Sequence, residues 1–140
     1  MGNITWSRVV LCGVITGLIY TLLSMVILTF LGAELATAAP KTATPSRGLL
    51  LYSFAVSLAM GVWAMWLYAA IRPRFGPGPR TAVIAGCAWW VMYCLSKANW
   101  GPYGLVSTKA LMVMMLAFLP SLIAATLAGA RFYEEKPLQR

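Results

Sequence analysis

The sequence predicts an all-α integral membrane protein, an antiparallel bundle of four spanning helices. Three observations predict it. Hydrophobic residues make up 61% of the 140 residues and charged residues only 10%. The apolar residues fall into four long runs, and short segments rich in Pro, Gly or basic residues separate them. Globular chains carry about 25% charged residues, enough to face water on all sides. Three acids and eleven bases cannot do that here, so lipid is the expected solvent.

The whole chain, 1–140, reads as one domain with spans at about 9–31, 49–71, 81–97 and 105–130. The first run, Val9 to Leu31, exceeds the roughly 20 apolar residues that cross a hydrocarbon core. Ala36-Thr37-Ala38 looks like a signal cleavage site. The run is nonetheless longer than the usual signal core of about 7–15 residues, so a retained helix is expected. Leu11-Cys12-Gly13 is a poor lipoprotein box, because bulky Leu11 precedes the cysteine. Residues 33–48 form a loop with Pro40 and Pro45, both of which stop helices.

The second run, Leu49 to Ile71, holds no charge and gives way to Arg72-Pro73-Arg74-Phe75-Gly76-Pro77-Gly78-Pro79-Arg80. Three prolines and two glycines in that stretch predict that the helix stops and a stiff basic turn follows. The third run goes from Thr81 to about Ser96, with Lys97 placed to snorkel toward headgroups. Asn99-Trp100-Gly101-Pro102-Tyr103-Gly104 reads as an interfacial loop with its own aromatic anchors. The fourth run, Leu105 to Ala130, should pass through Pro120 with a kink, since both flanks stay apolar. Arg131 to Arg140 reads as a polar tail.

Four spans place both termini and the basic turn on one side, with Arg8, Arg72, Arg74, Arg80, Arg131, Lys136 and Arg140. Lys41, Arg47, Lys97 and Lys109 fall on the other side. The excess of bases makes the first side cytoplasmic. A net charge of +8 raises nucleic acid as a partner, but the bases sit at the edges of apolar runs and form no patch or stripe. Anionic lipid headgroups fit that placement. Arg72, Arg74 and Arg80 are the candidates to meet headgroups or an acidic partner.

In lipid, apolar side chains gain nothing by leaving water, so close packing of small residues must hold the helices together. Each span offers a ridge: Gly13 and Gly17; Ser53, Ser57 and Gly61; Ala82 and Gly86; Ser121, Ala125 and Gly129. Short connections favour antiparallel neighbours.

Groups suited to chemistry are sparse. The sequence has no histidine, the commonest general base and metal ligand. Glu34, Lys97 and Lys109 sit at predicted span ends, where snorkelling explains them, so no deep carboxylate marks a proton-driven carrier. Cys87 and Cys94 lie about 10 Å apart along one helix, too far for a disulfide. Cys12 falls at a depth similar to Cys87, and all three cysteines read as small buried hydrophobes. The scattered methionines read as adaptable packing, not as a copper path. Trp63, Trp66, Trp89 and Trp90 lie inside spans, not at the interface where tryptophan gathers. With Asn99 and Trp100 they are the candidates to contact a quinone or pigment, though helix packing explains them too. No resident cofactor or metal is expected.

The segment Leu67-Tyr68-Ala69-Ala70-Ile71-Arg72-Pro73-Arg74-Phe75-Gly76-Pro77-Gly78-Pro79-Arg80-Thr81-Ala82 resembles the turn of a group of uncharacterised bacterial four-span membrane proteins. The aromatic-acidic ending Arg131-Phe132-Tyr133-Glu134-Glu135 is similar to theirs as well. The resemblance implies the topology and a bacterial inner membrane, and no activity. Small multidrug exporters need a membrane-embedded Glu in the first helix, which is missing here. Two functional readings follow. A non-catalytic accessory or structural subunit of a larger membrane complex, respiratory or photosynthetic in type, is favoured. A stand-alone carrier or channel for a small solute is the alternative, and it requires a polar cavity at mid-membrane.

Overall fold

A computed structural model of the chain describes residues 6–36, 46–100, 102–103 and 106–133; at 33–36 and 99 it describes the backbone alone. Four helices carry the fold: α1 (Trp6–Ala36), α2 (Arg47–Phe75), α3 (Pro79–Lys97) and α4 (Thr108–Phe132). A 3-10 turn, Ala98–Trp100, follows α3. There is no strand among the described residues. The fold is an all-α bundle.

Local chemistry sets the helix ends. Ser46 caps α2 by accepting from the Leu49 N–H, and Ser107 caps α4 by accepting from the Ala110 N–H, each at 3.3 Å. The expected stop at Arg72 is corrected: α2 runs through Arg72, Pro73 and Arg74 to Phe75. Pro73 lies in the last turn, where it removes the bond to the Ala69 carbonyl and crowds it, and the helix ends two residues later. Gly76, at φ 81°, then closes the helix by donating its N–H to the Arg72 carbonyl at 2.8 Å. Gly78, at φ 139°, sets up α3, which opens on Pro79, a position where proline lacks no needed donor. The turn is thus three residues, 76–78, where nine were expected. Across it, Thr81 Oγ1 donates to the Gly76 carbonyl at 2.6 Å. At the other proline, α4 continues unbroken through Pro120.

Two layers of core fix the antiparallel order. One brings Val9 and Cys12 of α1 together with Met65, Tyr68 and Ala69 of α2, Ala82 and Ala85 of α3, and Tyr133 after α4. The starts of α1 and α3 therefore meet the ends of α2 and α4. The second layer holds Ala64, Trp89, Phe118 and Leu122, with Tyr20, Met60, Trp90 and Tyr93 packed around them.

Backbones approach closely where α1 crosses α2. A Cβ at Gly61 would strike the Gly13 carbonyl and stand 2.7 Å from Gly17 Cα, and one at Gly17 would lie 2.8 Å from Leu58 Cα. One at Gly13 would collide with the Val62 backbone. On α4, a Cβ at Gly129 would run into Thr16 Oγ1 and stand 2.9 Å from Met65 Sδ. Gly86 comes equally close to α4, its Cβ position 2.9 Å from Ile123 Cα. Ala82, Ser121 and Ala125 are buried. Ser53 is not: it is exposed, as are all residues from 46 to 56. Its four-residue spacing from Ser57 gives it the right face but not the right depth, because the tight crossing ends near Ser57.

Among the described residues, the buried serine and threonine hydroxyls are returned to their own neighbourhood. Thr16 donates to Cys12 O, Thr126 to Leu122 O and Ser121 to Phe118 O, all at 2.8 Å, alongside the Thr81 bond. A buried polar group without such a partner would be costly. Three helices, α1, α2 and α4, are long and apolar enough to cross a membrane. The third expected span, α3, does not reach that measure, since its 19 residues include Arg80, Ser96 and Lys97.

Candidate functional site

Among the described residues, a site-like cleft lies at the end of the bundle where α2 stops, α3 starts and α4 stops. The three-residue turn, the first turn of α3 and the last two turns of α4 enclose a cleft of about 790 Å³. That falls within the usual range of small-molecule pockets, about 300–1,000 Å³. Its rim carries two cations, Arg72 and Arg131. Its wall is apolar, built by Ala82, Ala124, Leu127 and Ala128.

The helices place these groups by simple geometry. Tyr68 and Arg72 are four residues apart on α2 and so share a face. Tyr133, the first residue beyond α4, folds inward and is 3% exposed. Its ring meets Tyr68 edge-on at 5.8 Å between centroids, and the Arg72 guanidinium sits 5.5 Å from its centroid. Such a cation–π contact holds an arginine by about 0.5–2 kcal/mol. Arg72 Nη1 is buried. Arg131 is exposed on the rim.

The candidate cations separate here. Arg72 lines the cleft, whereas Arg74 and Arg80 are exposed and do not. Arg131 and Tyr133 are functional candidates that sequence reasoning assigned to a polar tail. In fact Arg131 and Phe132 continue α4, and Tyr133 belongs to the core. The signal was present as an aromatic pair directly after the last apolar turn. Glu134, Glu135, Lys136 and Arg140 lie outside the described residues.

The tryptophans do not converge on one surface. Trp89 is 1% exposed and packs against Tyr20 at 5.1 Å between centroids. Trp90 donates its indole N–H to the Met115 carbonyl at 2.7 Å, tying α3 to α4. Trp63 and Trp66 pair with each other on α2 at 4.9 Å, Trp66 against the first core layer and Trp63 43% exposed. Trp100 is covered by Lys97, whose Nζ stands 3.5 Å from its ring centroid. Lys97 folds onto Trp100 and Tyr93. The Asn99 side chain and Glu34 lie outside the described residues, and Lys109 is exposed.

Cys12, Cys87 and Cys94 are free thiols, with Cys12 buried. Among the described residues, no group of three or more His, Cys, Asp or Glu side chains is placed to hold a metal ion. No protein-family model, no curated protein and no solved structure matches the chain.

Proposed function

We propose that this chain is a four-span protein of a bacterial inner membrane, acting as a non-catalytic accessory or structural subunit of a larger membrane complex. α3 is the fourth span, its outward face carrying Val83, Ile84, Val91, Met92 and Leu95, with both termini and the arginine-bearing turn facing the cytoplasm. The bias of seven bases against four supports that orientation.

One observation carries the subunit reading. Beyond the glycine crossing, the outer halves of α1 and α2 expose a largely apolar and aromatic surface that the other described helices do not cover. Leu22, Met25, Val26, Leu28 and Phe30 face outward on α1, and Leu49, Leu50, Leu51, Tyr52 and Phe54 on α2. A larger assembly gives this half of the hairpin a protein neighbour.

The carrier alternative needs space and polar groups at mid-bundle. That region is filled instead by Trp89, Leu122 and Phe118, each 0–4% exposed, and Thr16, Ser121 and Thr126 already donate to their own helices. The packing observation favours the subunit.

Purification of the native protein in mild detergent, with mass spectrometry and an absorption spectrum, tests the proposal. Stoichiometric co-purifying membrane subunits are the expected result. A colourless 15.2 kDa species that carries only lipid would sink it and move the search to transport assays.

A further inference from the structure

We draw no further inference here: the strongest candidate, the cleft at the terminal end of the bundle where Arg72 and Arg131 border the apolar wall of Ala82, Ala124, Leu127 and Ala128, carries nothing, because Arg72 is already engaged by Tyr133 and by a further interaction and nothing in the structure shows what covers the apolar wall.

Discussion

The two ends of the bundle are built on different terms. At the terminal end, glycines and alanines bring backbones into contact, and Cys12, Met65, Tyr68, Ala82 and Tyr133 are 0–3% exposed. At the other end, α1 and α2 turn large side chains outward, with Leu51 at 70% and Phe30 at 81% exposure. All of these segments are comparably apolar. The difference lies in side-chain size. Where side chains are small, helices can approach, and dispersion and hydrogen bonding can act between them; where they are large, the same apolarity only offers a surface to lipid or protein. One chain thus separates the part that folds from the part left for contact.

Breaking the tight end should have the largest effect. Gly61→Leu places a side chain where even a Cβ meets the Gly13 and Gly17 backbones. Overpacking costs about 1–3 kcal/mol when side chains can yield, and here backbone must move. The variant should fail to give a cooperative thermal transition in detergent. Trp89→Ala should come next, destabilising by about 3–5 kcal/mol through the cavity it leaves beside Tyr20. Reversible unfolding in mixed micelles measures it. Trp90→Phe keeps the ring and removes the donor to the Met115 carbonyl. It should cost about 0.6–1 kcal/mol by the same assay. Leu51→Ala, at the open end, should change stability by less than about 0.5 kcal/mol. A large loss from that last variant would erase the distinction between the ends.

Hydropathy alone made α1, α2 and α4 legible, because each is apolar over a length that could cross a membrane. Spacing showed that Gly13 and Gly17 share a face, but not which helix crosses there. That depends on the register between α1 and α2, which no local pattern encodes. The same rule misplaced Ser53, since periodicity reports direction around a helix and is silent on depth. Pro73 hid the last turn of α2: proline density reads as a break, yet here the helix carries its proline and ends only at Phe75, where Gly76 closes it. Tyr133 and Arg131 were obscured for a related reason. They sit where hydropathy falls, and polarity at a span end looks like solvent even when an aromatic ring folds back to hold an arginine.

The subunit proposal requires that the open half of the α1–α2 hairpin meet another protein. Photo-crosslinking in native membranes, with a benzophenone side chain at position 51, tests it most directly. Position 10, also exposed but at the tight end, serves as the reference. One discrete protein adduct is expected from position 51 and lipid adducts from position 10. Lipid adducts alone from both positions would contradict it.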